Sequence, residues 1–327
     1  MAAVATSARS TGHLLITDFD GTCTTTDTTA LVPHLAARAA ATPPAAENVL
    51  ARFGELEDLY LSGLSRCKEN QVQAAASLEA ALSSMDAVSN DVISQLSASG
   101  ILAGIREADV GPAIEEWRLQ EDSARSAPPA RVPELRDGCV STLAEAAACG
   151  WELGVLSICW CPAIIRAYLP LLVEGADEGG AAGRPAAGSR IWSNRIDEQS
   201  GQIANEIDGA VAKRAIIERL VREQSEAAGA GDEPPRRVVY IGDSTTDLLA
   251  MLAADVGILI GESGSARDLA RRFGVTIKPL APSSGDAKPE AFDALRRDEQ
   301  PGAAAVIWEA KCWEEVRRCL LDEPVVQ

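Results

Sequence analysis

Two short acidic motifs, far apart in the 327-residue chain, carry the strongest chemical signal in the sequence. Asp18 and Asp20 lie in the motif Asp-Phe-Asp-Gly-Thr, directly after an apolar run at residues 13–17. An apolar run that glycine ends is typical of a buried strand. Side chains two residues apart along a strand point to the same face, so both carboxylates can face one site. The alternative is a pair of solvated loop acids or an Asx turn.

Asp243 and Asp247 belong to the second motif, Gly-Asp-Ser-Thr-Thr-Asp, which follows another apolar run at residues 238–241. The carboxyl ends of parallel strands meet at one edge of a sheet, so we expect the four aspartates to converge there. Clustered carboxylates repel one another unless a cation joins them, and oxygen ligands of this kind suit Mg²⁺. For Asp247, an interaction with the dipole at the start of the next helix is a fair alternative.

Ser157 and Lys213 are candidates for binding a phosphate group. Ser157 follows a predicted strand and precedes a helix that Pro162 opens, and a hydroxyl beside free backbone amides binds phosphate oxygens well. Lys213 lies early in its predicted helix, where a positive charge interacts unfavourably with the helix dipole. This position indicates that the lysine has another role, such as neutralising a phosphoryl oxygen. The alternatives are a serine that only leads into its helix and a solvated surface lysine.

Strand-like and helix-like segments alternate along much of the chain, which predicts an α/β fold with a Rossmann-like, mostly parallel sheet covered on both faces. Strands are predicted at residues 13–17, 151–158, 238–241, 255–260 and 275–279. A helix is predicted at residues 133–149, and residues 174–188, rich in Gly and Ala, are predicted to form a surface insertion.

A long helical block separates the first predicted strand from the second. Residues 29–130 show apolar residues at helical spacing, with breaks expected at Gly100 and at Gly111 with Pro112. We therefore expect a core domain of residues 1–30 and 131–327 and a helical cap of residues 31–130, joined by a linker near residues 123–133. An insertion after the carboxyl end of a strand can lie over the active site as a lid.

Composition limits the partners and the compartment. The net charge of −18 argues against a nucleic-acid partner. No apolar run approaches the roughly 20 residues that span a bilayer, so no membrane association is expected. Eight cysteines without disulfide-framework spacing predict reduced thiols and a cytoplasmic location. Residues 1–12, rich in Ala, Ser and Thr, faintly resemble an organelle transit peptide, and we interpret them as a disordered terminus.

Taken together, four segments resemble the motifs of the haloacid dehalogenase superfamily of phosphohydrolases. Asp-Phe-Asp-Gly-Thr is similar to the first motif, Leu156-Ser157 to the second, Lys213 to the third and Gly-Asp-Ser-Thr-Thr-Asp to the fourth. They occur in the family's order between Leu14 and Pro279. The resemblance implies a magnesium-dependent phosphatase on a core of this family's type, with a helical cap inserted after the first strand.

The resemblance also implies catalytic roles. Asp18 would attack phosphorus and form an aspartyl-phosphate. Asp20 would protonate the leaving oxygen and then activate water. Ser157 and Lys213 would hold the transferring phosphoryl group. An acid at position 20 favours a phosphatase, because the dehalogenases and P-type ATPases of this superfamily lack it.

The metal ligands follow from the same resemblance. Asp18, the backbone carbonyl of Asp20 and Asp243 would bind Mg²⁺, and Asp247 would support the waters of the metal or Lys213. Metal and lysine together would stabilise the charge on the phosphoryl oxygens.

Three segments resemble more narrowly the phosphatase domain of plant-type thiamine monophosphate phosphatases: residues 18–32, 155–169 and 238–275. This resemblance makes thiamine monophosphate the favoured substrate. Another small phosphomonoester, such as phosphoserine or a vitamin phosphate, is the alternative. A catalytically inactive binding protein on the same fold is a third possibility.

Asp27 and Trp160 are candidate substrate contacts. Asp27 lies where related phosphoserine phosphatases carry a substrate-contacting acid, and it could pair with an amine or a thiazolium; capping the following helix is the alternative. Trp160 could stack on a heteroaromatic ring, with packing in the core as the more common role of a tryptophan.

Overall fold

The central feature of the protein, seen in a computed structural model, is a seven-stranded sheet with the strand order β3-β2-β1-β6-β7-β9-β8. Every neighbouring pair of strands in this sheet is parallel. A separate antiparallel pair is formed by β4 and β5. In chain order the strands are β1 (Leu14–Thr17), β2 (Glu152–Leu156), β3 (Arg190–Trp192), β4 (Arg195–Ile196), β5 (Ile203–Ala204), β6 (Val238–Gly242), β7 (Val256–Ile260), β8 (Thr276–Pro279) and β9 (Val306–Ala310).

The structure describes residues 12–123, 131–172, 189–228, 236–280 and 305–322, together with Phe292 and Leu295. The predicted disordered terminus, most of the predicted linker and the predicted insertion at residues 174–188 lie outside the described residues. Within the described residues, no helix has both the length and the apolar character needed to cross a membrane.

Helices cover both faces of the sheet. In chain order they are α1 (Leu31–Ala39), α2 (Pro43–Cys67), α3 (Leu78–Ser99), α4 (Glu107–Ser123), α5 (Cys139–Ala148), α6 (Pro162–Tyr168), α7 (Ala210–Ala228), α8 (Leu248–Ala253), α9 (Gly264–Arg272) and α10 (Trp313–Leu321).

The strands are apolar on both sides because the sheet separates two hydrophobic cores. In β1, Leu15 packs into the core shared with α5, α6 and α10, whereas Leu14 and Ile16 pack into the core shared with α7, α8 and α9. This alternation is the expected pattern for a parallel sheet covered on both faces. It explains why β1 appears in the sequence as an uninterrupted apolar run.

Helices α1 to α4 all lie between β1 and β2 in the chain, so the predicted helical insertion after the first strand is confirmed. Local signals set its helix ends: Thr42 caps α2 with Pro43 in the first turn, and Ser77 caps α3. Gly100 ends α3 in the left-handed region, with a φ of 65°. The proposed division into a core domain and a cap at residues 30/31 and 130/131 stays a prediction.

Two predictions of secondary structure were wrong. The expected break at Gly111 and Pro112 is absent, because α4 runs through both residues. A proline there removes one backbone donor. The loss is compensated by a continuous apolar face at helical spacing, formed by Val110, Ala113, Ile114 and Trp117.

The helix predicted at residues 133–149 begins only at Cys139. The preceding residues are extended instead: Leu135 forms a β-bridge with Thr24, and the amide of Arg136 donates to the carbonyl of Cys23. Tertiary hydrogen bonds to the residues just after the first acidic motif therefore override the local helical pattern. Strand β9, which lies between β7 and β8, was not predicted either.

Helix α10 forms a hydrogen bond to the turn that follows β1. The indole nitrogen of Trp313, a fully buried residue, donates to the carbonyl of Thr22 at 3.0 Å. A buried carbonyl left without a partner is destabilising, so this contact ties the end of the chain to the first acidic motif.

We predict that Trp313→Phe lowers the free energy of unfolding by about 3 kcal/mol, from lost packing and an unpaired Thr22 carbonyl. Urea denaturation measures this change. Trp160→Phe is the matched control, because it removes an indole from a half-buried side chain. An equal loss in both variants would contradict a stabilising contact between Trp313 and the turn.

Candidate active site

The predicted site residues follow three neighbouring strands. Strand β1 lies between β2 and β6, with Thr17 in register with Val155 on one side and Ile241 on the other. Asp18, Ser157 and Asp243 each come directly after the last residue of one of these strands. The parallel register therefore places the two acidic motifs and Ser157 at the same edge of the sheet, as expected.

Lys213 is the centre of the site. Its Nζ donates to Oδ1 of Asp18 at 2.9 Å and to Oδ1 of Asp247 at 2.7 Å. Only 1% of Lys213, 5% of Asp18 and 0% of Asp247 is exposed, so this ion-pair network is shielded from solvent. The alternative of a solvated surface lysine is therefore wrong. A buried charge of this kind is tolerated only when it is paired and hydrogen-bonded.

Burial and the charges in this network together shift the pKa values of all three groups. Burial opposes the ammonium, but the two carboxylates outweigh burial and hold the pKa of Lys213 above its ordinary value. Burial raises the pKa of Asp18 well above its ordinary value, although Lys213 opposes the shift. For Asp247 burial acts in the same direction, but Lys213 and further donors hold its pKa below the ordinary value.

Four donors form hydrogen bonds to the carboxylate of Asp247. Besides Lys213, the hydroxyl of Tyr240 donates to Oδ1 at 2.7 Å. The amide and the hydroxyl of Ser244 donate to Oδ2 at 3.0 and 2.8 Å. Both oxygens are thus committed to protein donors. Of the roles predicted for Asp247, this geometry favours support of Lys213 over direct binding of a metal.

Asp243 lies beside Asp18 and Asp247. Carboxylate oxygens of the three residues lie within 4.8 Å of one another. Burial, and then the charge of Asp247, raise the pKa of Asp243 to about 6. Thr22 donates to Oδ1 of Asp243 at 3.0 Å. Within the described residues, no hydrogen bond reaches Oδ2 of Asp18 or Oδ2 of Asp243.

These residues fit a hard divalent cation. Asp18 and Asp243 each offer a carboxylate oxygen that the described part of the chain leaves free, and their mutual repulsion would be relieved by a positive charge. Carboxylate oxygens are the ligands that Mg²⁺ prefers. Binding through Asp18, Asp243 and the carbonyl of Asp20 stays a prediction.

The turn after Asp20 leaves no space for a side chain, because the carboxylate of Asp243 lies against it. Gly21 has a φ of 74°, and a Cβ at this position would lie 2.5 Å from Oδ2 of Asp243. The carbonyl of Gly21 accepts a 2.7 Å hydrogen bond from Nε of Arg136. Both the conformation and the space available require glycine here.

Asp20 points toward the start of the helical insertion. Its Oδ1 accepts the amide of Thr28 at 2.7 Å and the hydroxyl of Thr28 at 2.6 Å. Burial, and then the charge of Asp27, raise the pKa of Asp20 to about 7, although Thr28 opposes the shift. A carboxyl with such a pKa can be protonated or ionised near neutral pH, as a group that both gives and takes a proton must be.

Ser157 is buried at the end of β2, where its hydroxyl oxygen accepts the amide of Cys159 at 3.1 Å. This amide is therefore already bound and is not free for phosphate. The hydroxyl proton of Ser157 can still donate to a ligand oxygen. Phosphate binding by Ser157 stays a prediction.

Neither candidate substrate contact is buried in the site. Asp27 is exposed and accepts the amide of Thr29 at 2.7 Å, so it caps the short turn Thr28–Ala30. It still lies near enough to Asp20 to raise the pKa of that carboxyl. Trp160 is half-buried and packs against the core on the α6 side. Contact of either residue with substrate stays a prediction.

Three residues near the site belong to no sequence motif and were not predicted: Tyr240, Tyr60 and Asp86. Tyr240 lies in β6 and is fully buried; a single hydroxyl in an otherwise apolar strand was its only signal. Tyr60, in α2, is near enough to Asp27 and Asp86 for their charges to help burial raise its pKa. Asp86, in α3, is the third such residue.

Comparison with known proteins gives distant similarities. No family model matches the chain. It is 23% identical over 329 aligned positions to the mitochondrial bifunctional TH2 protein of Arabidopsis thaliana, covering 93% of this chain and 48% of that protein. The chain thus spans about half the length of the curated relative that it matches.

Among solved structures, the chain is similar to cytosolic 5′-nucleotidase IIIB bound to cytidine, with a TM-score of 0.47 and 15% identity over 80% of this chain and 77% of that chain. It is also similar to a substrate-bound phosphoserine phosphatase, with a TM-score of 0.43 and 14% identity over 79% of this chain and 90% of that chain. The ligands and activities in these names are those of the proteins compared.

We predict that about 10 mM Mg²⁺ raises the melting temperature of the protein and that Asp243→Asn removes this effect, since a ligand that binds only the folded state stabilises it. The effect should be large near about pH 8 and lost near about pH 5. Because the pKa of Asp243 is raised to about 6, its ionised form destabilises the metal-free protein at the higher pH and its protonated form cannot bind metal at the lower pH.

Differential scanning fluorimetry with and without EDTA makes this measurement without any assay of activity. Asp58→Asn, a change at an exposed residue of α2, is the control and should keep the full Mg²⁺ effect. A Mg²⁺ effect of the same size in Asp243→Asn would contradict metal binding by this carboxylate.

Proposed function

We propose that this protein is a magnesium-dependent phosphatase that hydrolyses a small phosphomonoester through an aspartyl-phosphate on Asp18. The observation that carries the proposal is the buried ammonium of Lys213, held at 2.9 Å from Asp18 beside the free oxygen of Asp243. A nucleophilic carboxylate, a fixed cation and a set of metal-binding oxygens at one sheet edge are the parts that phosphoryl transfer requires.

In the first step, Asp18 attacks the phosphorus atom of the ester. The new bond joins a carboxylate oxygen to phosphorus, and the bond from phosphorus to the ester oxygen breaks. Lys213 and Ser157 hold the phosphoryl oxygens while this happens. When bound, Mg²⁺ supplies positive charge that offsets the repulsion between Asp18 and an anionic substrate.

Asp20 supplies the proton that the leaving oxygen needs. Its raised pKa of about 7 keeps part of the population protonated at neutral pH. Both Thr28 donors bind Oδ1, which leaves Oδ2 of Asp20 to carry the proton. In the second step the ionised carboxylate removes a proton from water and the water oxygen bonds to phosphorus. The bond between phosphorus and the Asp18 oxygen breaks, which releases inorganic phosphate and restores the Asp18 carboxylate.

The substrate we favour is thiamine monophosphate. The support is the resemblance of residues 18–32, 155–169 and 238–275 to plant-type thiamine monophosphate phosphatases. An exposed carboxylate at Asp27, close to Asp20, suits a cationic group such as a thiazolium, and Trp160 would stack on its ring. Phosphoserine and vitamin phosphates are the competing substrates within the same chemistry.

No nucleic-acid partner is proposed, given the net charge of −18. A cytoplasmic location is part of the proposal and is supported by the eight cysteines, all of which lie in described residues as free thiols. The plant relative is mitochondrial by its name.

We predict that the purified protein releases phosphate from p-nitrophenyl phosphate in the presence of Mg²⁺ and that EDTA stops the reaction. Asp18→Asn should lower kcat by a factor of at least about 10³, because it removes the nucleophile and keeps the side-chain shape. Asp58→Asn is the control and should match the wild type. A near-normal rate for Asp18→Asn would exclude this nucleophile.

We further predict that thiamine monophosphate gives the highest kcat/KM in a screen of small phosphomonoesters. Trp160→Ala should raise KM for this ring-bearing substrate more than for phosphoserine, because only the former can stack on the indole. Steady-state kinetics with both substrates measures the two ratios. Equal changes in KM would refute stacking, and a better substrate in the screen would replace thiamine monophosphate.

A further inference from the structure

A side chain of the helical insertion reaches the start of the helix that carries Lys213. Oδ2 of Asp86, in α3, accepts the amide of Ala210 at 2.9 Å, and Ala210 is the first residue of α7. The residue before it is Gly209, where a Cβ would overlap the carboxyl group of Asp86. Glycine at position 209 is thus what lets the carboxylate approach the backbone.

The contact lies one helical turn from the lysine. The amide of Lys213 donates to the carbonyl of Gly209 at 3.1 Å, which closes the first turn of α7. The amides of the first turn have no partner inside the helix, so a carboxylate that accepts one of them satisfies a free donor. Its negative charge also interacts favourably with the positive end of the helix dipole. Asp86 therefore performs for α7, from another part of the chain, the task of an N-terminal cap.

Asp86 is half-buried where α3 packs against α7. Burial raises its pKa to about 6, although the Ala210 amide opposes the shift; Asp208 adds to it and Lys213 lowers it. The next residue toward the N-terminus of α3, Met85, is buried in the same core as Ile217 and Leu220 of α7. Apolar packing thus holds the two helices together around this hydrogen bond.

We infer that Asp86 is a positioning residue through which the helical insertion fixes the start of α7 and, with it, the ammonium of Lys213. The inference rests on the proposed function, in which Lys213 holds the transferring phosphoryl group. Without the contact, the first turn of α7 loses an anchor, and the lysine keeps only its two carboxylate partners. A small displacement of a group that stabilises the transition state is costly to the rate.

Other contacts between the same elements supply controls. Glu79 of α3 pairs with Arg214 of α7 at 2.8 Å, and half of the Glu79 side chain is exposed. This ion pair joins the same two helices but does not reach the helix start. Its loss should leave Lys213 in place, since exposed pairs contribute little.

The test compares Asp86→Ala, Asp86→Asn and Glu79→Ala with the wild type, using p-nitrophenyl phosphate as substrate and inorganic phosphate as competitive inhibitor. Asp86→Ala should lower kcat about tenfold and raise the inhibition constant of phosphate by a similar factor, since both depend on the lysine. Asp86→Asn keeps an oxygen acceptor and should stay within about threefold of the wild type, and Glu79→Ala within about twofold. A role in stability alone would move the melting temperature without moving either constant.

If Asp86→Ala does not give folded protein, Asp86→Ser makes the same comparison with a side chain too short to keep the contact. Kinetic constants within twofold of the wild type in the Ala or Ser variant would overturn the inference, as would an equal loss in Glu79→Ala. A wild type with no phosphatase activity would instead overturn the proposed function, and the inference with it.

Discussion

The structure depends on one buried cation shared by two buried carboxylates. Lys213 donates to Asp18 and Asp247, and none of the three is more than 5% exposed. Charges that are buried in this way are stable only when they are paired, and removal of one partner leaves the others without compensation. Tyr240 and Ser244 complete the shell of Asp247, so this acid can hold the lysine while Asp18 keeps one oxygen free. The pairing thus leaves the site both stable and reactive.

The remaining elements bring distant parts of the chain to that pairing. The turn after β1 is held by Arg136 and by Trp313 from the far end of the chain, and its glycine lets Asp243 lie alongside. Two contacts link the site to the helical insertion: Thr28, just before the insertion, donates to Asp20, and Asp86 of the insertion accepts the amide at the start of α7. The insertion and the residues that lead into it therefore contact both Asp20 and the start of the helix that carries Lys213.

Much of this arrangement was predictable from local sequence. Apolar runs ending in acidic motifs located Asp18 and Asp243, because parallel strands place their carboxyl ends at one edge. Residues defined by tertiary contact were not predictable: Asp86 has no motif, Tyr240 resembles any strand aromatic, and β9 joins the sheet out of chain order. The helix expected from residue 133 begins only at Cys139 for the same reason, since the amide of Arg136 donates to the carbonyl of Cys23, just after the first motif. Local pattern cannot report a partner that lies a hundred or more residues away.

Chemical trapping of the proposed aspartyl-phosphate tests whether Asp18 is the nucleophile. The protein is mixed with a phosphomonoester and Mg²⁺, quenched, and reduced with borohydride, which converts an aspartyl-phosphate to homoserine; peptide mass spectrometry then locates the change. Homoserine is expected at position 18 in the wild type and not in Lys213→Ala, which lacks the cation proposed to hold the phosphoryl group. Continued turnover with the modification at another residue, or with none at Asp18, would contradict it.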